Sequence, residues 1–456
     1  MTLTLGGSAA SYGSFVERLD RVPLNSFHWR LLVVSGIGWL FDAMDVILIS
    51  FLLVPIGRDL ALDATQIALI PSATFAGMFL GAAGAGRLAD RYGRRAVFQA
   101  TLVIFSLGSA LSAIAPTYGT LLAARVIAGV GLGGELPVIS TLVSELSPRA
   151  QRGRMIVLLE SFWAYGTILA GLVAVVALPA VGWRGAFAIG ALPALYVAYL
   201  RRSLPESPRY LAAKGRLTEA DAIVRRVERA GGGPLITVAR VVPPSAVTAR
   251  GATVAELFAP AYRKRTVMLW LLWLGVVVTY YGIFLYVPSL LFARGLSEVR
   301  SNEFFFLSTM AQIPGYFSAA WFVERWGRKP TLVAYLLGTA ASAFLFGQSG
   351  SGTDAFLWAS LLSFFNLGAW GVVYTLSPEQ YPTSIRATGA GAAASVGRLG
   401  GIAAPFLTPA LVAASSQAVA FGFFMALLVA TALVVAALAE ETRGRSLEEL
   451  AESAAA

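Results

Sequence analysis

The sequence predicts an all-α membrane protein, with twelve transmembrane helices arranged as two six-helix, pseudo-symmetric bundles. Three observations carry that expectation. Of 456 residues, 57% are hydrophobic and only 13% charged, against roughly 25% charged in soluble domains, so lipid is the expected solvent. Twelve apolar stretches are each long enough to cross a hydrocarbon core of about 30 Å. Finally, a charged motif recurs in the second half of the chain, as DRYGRR at 90–95 and ERWGRK at 324–329.

Residues 1–29 are polar and hold no apolar run that reads as a cleavable signal, so they are expected to form a cytoplasmic segment at the membrane interface. The single histidine, His28, falls there and is expected to serve the interface rather than chemistry. Six spans follow within 30–202, near 30–56, 66–88, 95–115, 118–144, 154–179 and 183–202. Residues 203–263, with ESPRYLAAKGRLTEADAIVRRVERAGGG, carry too many charges to bury. They read as one or two surface helices and a Gly/Pro-rich linker. The second bundle occupies 264–439, with spans near 265–292, 303–323, 331–349, 354–377, 386–412 and 417–439, and 440–456 form a cytoplasmic tail.

Charge fixes the orientation. Only Arg58, Arg184, Arg294 and Arg300, of 35 basic residues, fall in outer loops when both ends are placed inside, as the positive-inside rule requires. The net charge of +10 is therefore a topological signal and not a nucleic-acid one. With no cysteine, disulfide and thiolate chemistry are excluded. The glycine runs GMFLGAAGAG and GAGAAASVG read as small-residue faces for close helix packing. A nucleotide loop in GVGLGGE is excluded, because no strand precedes it and no P-loop lysine follows.

The repeat extends beyond the loop motif at the same fixed offset. ELSPRAQRG at 145–153 matches EQYPTSIRA at 379–387, pairing Glu145 with Glu379 and Arg152 with Arg386. Glu206 falls on Glu440, and Trp39 on Trp273. Parallel repeats of this kind describe transporter halves with a substrate site between them.

At these residues the chain resembles the major facilitator superfamily over nearly its whole length. GRLADRYGRR (86–95) is similar to the superfamily's signature loop, and PESPRYL (205–211) and EETRGRSLEEL (440–450) to the ends of the halves in sugar porters. RLDRVPLNSFHWRLL (18–32), GVGLGGELPVISTLVSE (129–145) and LLESFWAYGT (158–167) most resemble bacterial niacin permeases. Those belong to the metabolite:proton symporter branch, near the synaptic vesicle glycoprotein 2 and organic-ion transporter groups, and share these stretches in part with aromatic-acid symporters. The fifth helix lacks the Gly/Pro signature of drug antiporters, which argues against drug export. The resemblance implies a membrane transporter, not an enzyme, with no cofactor or metal. Its expected partners are a small organic anion, protons and the bilayer, without nucleic acid, and the expected working unit is a monomer in a bacterial inner membrane.

The loop charges suggest a mechanical role. Asp90 and Arg94, or Glu324 and Arg328, sit at helix ends where carboxylates can pair with Arg152 or Arg386 and with helix termini. With Glu145, Glu206 and Glu379 they can form a cytoplasmic latch that breaks as the halves rock, or they anchor the interface.

Ionisable groups within spans cost about 2.5–3.5 kcal/mol each on insertion scales and are functional candidates by default. There are six: Asp42, Asp45, Arg125, Glu135, Glu160 and Arg398. Four carboxyls face two guanidiniums, so one carboxyl is expected to hold a proton at rest. At about 1.5 Å per residue, Asp42, Asp45 and Arg398 fall near the midplane, Arg125 in the outer third, and Glu135 and Glu160 in the inner half. Asp45 and Arg125 can meet, and the resembled symporters place an aspartate in helix 1 opposite an arginine in helix 4. Asp42 shares a helix face with Asp45. Like charges so close disfavour joint ionisation while Arg125 favours it, a balance suited to a proton carrier. A static pair joining two helices is the alternative.

Arg398 lies where, in the resembled organic-ion transporters, anion carriers tend to have arginine. It can clamp a carboxylate or merely neutralise Asp42 or Glu160. Among many aromatics, Trp163, Tyr280, Tyr281 and Tyr374 are the stronger cavity candidates because their helices line the cavity in this superfamily; Trp39 and Trp370 join them. Aromatic walls sandwich a flat ring, and Gln312 and Asn366 can read a ring nitrogen or hydroxyl. The expected function is proton-coupled import of a small aromatic monocarboxylate, nicotinate first. Benzoate or hydroxybenzoate symport, sugar transport and a transport-inactive receptor are the alternatives.

Overall fold

The computed structural model of the chain describes residues 12–148, 151–232, 254–350, 352–381 and 385–443. Several spans begin where a side chain supplies an acceptor for the free N–H groups of a helix start. Asn25 caps the first span, taking the Phe27 N–H at 3.0 Å, while the His28 ring meets the Asn25 N–H at 3.3 Å. The other ring nitrogen of His28 reaches the Leu146 carbonyl at 3.1 Å, so this histidine ties the start of one span to the end of another. Asp63 and Thr117 cap the second and fourth spans in the same way.

In the first bundle the spans are Ser26–Asp59, Ala64–Tyr92, Arg94–Ala113 and Tyr118–Leu146, then a fifth and sixth. The fifth is broken into Arg152–Glu160 and Phe162–Leu172 and passes through a π-turn, Val173–Ala177. It ends at Gly182, where the chain reverses into the sixth, completed by Pro193–Ser203; the φ of 65° and ψ of −177° at this turn are tolerated by glycine. In the second bundle the seventh span is Arg263–Phe284 extended by Val287–Ala293. The eighth is Glu298–Thr309 and Gln312–Arg325, interrupted at Met310 and Ala311. Arg328–Gln348, Gly352–Glu379, Arg386–Ala414 and Gln417–Leu438 complete the set. Among the described residues, ten helices are individually long and apolar enough to cross a membrane. Twelve crossings result because one of these folds back at Gly182 and because the broken eighth span adds another.

Between the bundles, Pro208–Ala213 and Leu217–Ala230 lie outside the spans. The N-terminal helix Tyr12–Arg21 docks on the second of these through Arg18, which is buried. Its guanidinium donates to Glu228 at 2.8 and 2.7 Å and to Asp221 at 2.6 Å.

Close backbone approach accounts for part of the first glycine run. Gly77 and Gly81 on the second span face Gly129 and Gly133 on the fourth, and a Cβ at any of the four would come within 2.0–2.2 Å of a backbone carbonyl oxygen across the interface. This is the four-residue small-residue spacing that brings membrane helices together without polar ties.

The charged loops form one cluster per bundle. Glu206 accepts from the backbone N–H groups of Arg94 (2.9 Å) and Arg95 (3.3 Å), a carboxylate on a helix N-terminus. Arg94 pairs with Asp90 at 2.9 Å and with Glu145 at 3.4 Å, and the Ser207 hydroxyl donates to Glu145. The second bundle repeats this arrangement: Glu441 accepts from the N–H groups of Arg328 and Lys329, both at 3.0 Å. Arg328 pairs with Glu379 at 3.1 Å, and Thr442 donates to Glu379. The structural counterpart of Glu206 is thus Glu441, one residue beyond the position given by the sequence offset; Glu440 pairs with Arg265 instead. Gly93 and Gly327, at φ of 100° and 104°, make the turns, and a Cβ on either would collide with these glutamates. Glu324 is exposed. Arg152 donates to the Ser144 carbonyl at 2.8 Å and lies 3.6 Å from Asp20. Arg386 opens the eleventh span, and its side chain lies outside what is described.

Across the halves, Arg58 pairs with Glu298 at 3.2 Å on the face opposite the charged loops and stacks on Phe292 at 4.5 Å. Phe51 meets Phe305 with ring centroids 5.1 Å apart.

Two stability outcomes follow from this packing, both read by tryptophan fluorescence during heating of detergent-purified protein. Gly133→Ala overpacks the interface between the second and fourth spans and lowers stability by about 1–3 kcal/mol, whereas Gly84→Ala, at a position open to space, leaves the midpoint unchanged. Glu206→Ala and Glu441→Ala each remove a helix-start acceptor and cost about 1–2 kcal/mol, while Glu324→Ala has little effect.

Candidate substrate cavity and buried charges

The first and seventh spans each contribute a tryptophan to the seam between the bundles, Trp39 and its repeat counterpart Trp273. Around them closes a cavity lined also by Trp163 and Glu160 of the fifth span, Tyr280, Tyr281 and Val277 of the seventh, and Tyr316 of the eighth. The tenth span supplies Leu367, Trp370 and Tyr374, and the eleventh Ala394 and Arg398. The rings form a continuous wall. Trp39 lies 5.1 Å from Trp163, Tyr280 lies 5.8 Å from Trp370, and Trp370 lies 5.7 Å from Tyr374. The Trp163 indole donates to the Tyr280 hydroxyl at 2.9 Å, a hydrogen bond between the halves, and the Trp273 indole donates to Ser377 at 2.9 Å. The indole nitrogens of Trp39 and Trp370 have no acceptor among the described residues. Such faces suit a flat ring, by offset stacking or edge contact.

Two charged side chains line the cavity. Arg398 sits beside the Tyr281 hydroxyl and lies 3.8 Å from the Met78 sulfur, so most of its five donors have no acceptor among the described residues. Glu160 is 2% exposed and has neither a hydrogen bond nor an ion pair among the described residues. Gln312 and Asn366 are buried and are not among the lining residues, and their amides carry atoms with no partner among the described residues.

The remaining intramembrane charges lie within the first bundle, off the cavity lining. Asp45 pairs with Arg125 and accepts from the Ser109 hydroxyl; aspartate and arginine are both fully buried. The Arg125 Nε donates to Thr74 at 3.2 Å, and its guanidinium lies 5.1 Å from the centre of the Phe187 ring. The first span therefore meets the second, third, fourth and sixth around one ion pair. Removing either partner from such a buried pair strands a charge, which is why it holds its geometry.

Asp42, one turn back, is near enough to Arg398 to feel its charge, but the two form no ion pair among the described residues. It lies within hydrogen-bonding reach of Glu135 on the fourth span, and neither carboxyl has a donor among the described residues. Two carboxylates repel at such range, and a single proton between them turns the contact into a hydrogen bond.

Sequence reasoning missed Ser109 and Thr74, whose hydroxyls complete the ion pair, since isolated Ser and Thr in apolar helices carry no distinguishing signal. Ala394 was within reach, because it is the repeat counterpart of Glu160 and lines the same cavity.

Comparison with known proteins agrees with this architecture. The model of the Sugar (and other) transporter family matches residues 28–454. The Niacin transporter NiaP of Acinetobacter baylyi is 48% identical over 95% of this chain and 99% of its own. The Organic cation/carnitine transporter 7 of Arabidopsis thaliana is 31% identical over 95% of each. Among solved structures, the major facilitator superfamily proton:xylose symporter XylE bound to 6-bromo-6-deoxy-D-glucose superposes with a TM-score of 0.74 at 21% identity. The match covers 93% of this chain and 98% of that one, and at this identity it speaks for the fold alone. On this evidence the chain belongs to the sugar (and other) transporter family and is a multi-pass membrane transporter of the major facilitator fold.

Proposed function

We propose that this protein imports a small aromatic monocarboxylate, nicotinate above all, together with protons by alternating access across a bacterial inner membrane. One observation carries the reading: a cavity between the two bundles has aromatic walls and a guanidinium, Arg398, most of whose donors have no acceptor among the described residues. A flat ring with a carboxylate complements both features. The relative at 48% identity is named for niacin, which supports the same choice. Amide side chains are absent from the described lining, which favours a flat ring over a polyol.

In this reading Arg398 clamps the carboxylate, while Trp39, Trp163, Tyr280, Tyr281, Trp370 and Tyr374 form the walls. Gln312 and Asn366 support those walls from behind. Asp45 takes the proton. Its protonation removes the charge that holds Arg125 and loosens the tie between the first and fourth spans. Asp42, one turn back on the first span, and Glu135, beside it on the fourth, set how much negative charge Asp45 feels. The bodies that rock are residues 30–202 and 264–439, with the charged loops and both termini in the cytoplasm and the protein acting as a monomer. The loop clusters around Arg94 and Arg328 brace each body during the movement.

Asp45→Asn abolishes accumulation of labelled nicotinate driven by an inward proton gradient in proteoliposomes, yet spares nicotinate exchange; pH-driven accumulation unchanged in the variant excludes Asp45 as the proton site. Arg398→Ala weakens nicotinate uptake at least about tenfold, the loss expected for a charge-assisted clamp. Neutral nicotinamide competes poorly with nicotinate in the unaltered protein, and equal inhibition by the two sinks the carboxylate clamp.

A further inference from the structure

The cavity contains a second charged group that this mechanism leaves idle. Glu160 is nearly fully buried, lines the cavity, and has no protein donor among the described residues. A carboxyl withdrawn from water without a partner forfeits its hydration, so a group in this position is expected to be satisfied by what binds. Arg398 is near enough to influence Glu160 electrostatically, but the two do not close into an ion pair. The other titratable neighbours of Glu160 are Tyr316 of the eighth span and Tyr374 of the tenth.

The repeat shows how this polarity arises. Residues 160 and 164 of the fifth span correspond, under the repeat, to 394 and 398 of the eleventh. The fifth span carries Glu160 and Ala164, and the eleventh carries Ala394 and Arg398. Each charge stands opposite an alanine in its repeat mate, one helical turn displaced from the other. A symmetric cavity has thereby acquired a negative pole on one half and a positive pole on the other, with aromatic walls between. Trp163, three residues from Glu160, donates to Tyr280 and places an aromatic face beside the negative pole.

We propose that Glu160 is the specificity-determining residue that reads the ring nitrogen of a pyridine carboxylate, sharing one proton with it while Arg398 holds the carboxylate. The inference rests on the aromatic-carboxylate reading above and sharpens it. A pyridine nitrogen accepts a hydrogen bond from the carboxylic acid, or as a pyridinium donates one to the carboxylate; in both forms the proton lies between the same two atoms. A benzene ring offers neither and leaves Glu160 buried without a partner. Sites built to pair with a polar atom reject analogues lacking it far more strongly than apolar pockets reject a missing methylene. The cavity therefore selects pyridine over benzene carboxylates through a carboxyl and not through shape, since the two rings are nearly isosteric.

The test is counterflow of labelled nicotinate in proteoliposomes carrying the full chain, with unlabelled nicotinate, benzoate and isonicotinate as competitors. Unaltered protein should be inhibited by nicotinate at concentrations at least about tenfold lower than by benzoate, and isonicotinate, whose nitrogen points elsewhere, should fall between them. Glu160→Leu should bring benzoate to within about threefold of nicotinate, while Glu160→Gln, whose amide still donates to a ring nitrogen, should largely restore the preference. Equal inhibition by benzoate and nicotinate in the unaltered protein overturns the proposal, as does a preference that both variants leave intact or abolish alike. No nicotinate counterflow in the unaltered protein fails the underlying substrate reading instead, so the two failures are told apart. If the leucine variant does not fold, Glu160→Ala replaces it in the same competition, with the same expected loss of preference.

Discussion

The ion pair between Asp45 and Arg125 is the constraint around which the first bundle is arranged. Lipid cannot solvate either charge, so each must be answered by protein, and the answer draws on Ser109 and Thr74 from two further spans. Along the first span, Trp39, Asp42 and Asp45 follow at three-residue steps and share one face. Trp39 faces the cavity, Asp42 meets Glu135, and Asp45 holds Arg125. One helix thus joins the aromatic walls to the buried charges, so the two sites need not touch to be coupled.

The rest of each bundle is fastened internally. Carbonyl-to-glycine contacts fasten the second span to the fourth with almost no freedom to shear. The loop clusters fasten the ends of the second, fourth and sixth spans to the start of the third, and the second bundle repeats the device with Glu441, Arg328 and Glu379. Rigid halves leave the seam between them as the place where a small energetic bias has the largest structural effect.

Much of this was legible in the sequence, and the gaps have physical reasons. Apolar run length marks every crossing, because a bilayer demands it. It does not reveal that the turn between the fifth and sixth crossings is made at Gly182, or that the eighth is interrupted at Met310 and Ala311, since such features depend on single residues. The six intramembrane charges stand out because they are expensive. Which of them meet depends on helix rotation, and that is why Asp42 was open to several partners and meets Glu135. Gln312 and Asn366 lie at plausible depths but are not among the residues lining the cavity, for the same reason. The shift from Glu440 to Glu441 reflects the slack a repeat accumulates in a loop, where no helix keeps register.

The ion pair of Arg58 with Glu298 joins the two halves at the opposite face from the charged loops, and the arginine side chain is 57% exposed. Screening acts on such a pair, with a Debye length of about 8 Å at physiological ionic strength, whereas it barely reaches Asp45 and Arg125. An exposed pair contributes at most about 1 kcal/mol, and a change of that size moves a two-state balance about fivefold. The ionic strength of the medium on that side is therefore an input to the resting balance between the two orientations of the halves, independent of substrate and of the proton gradient.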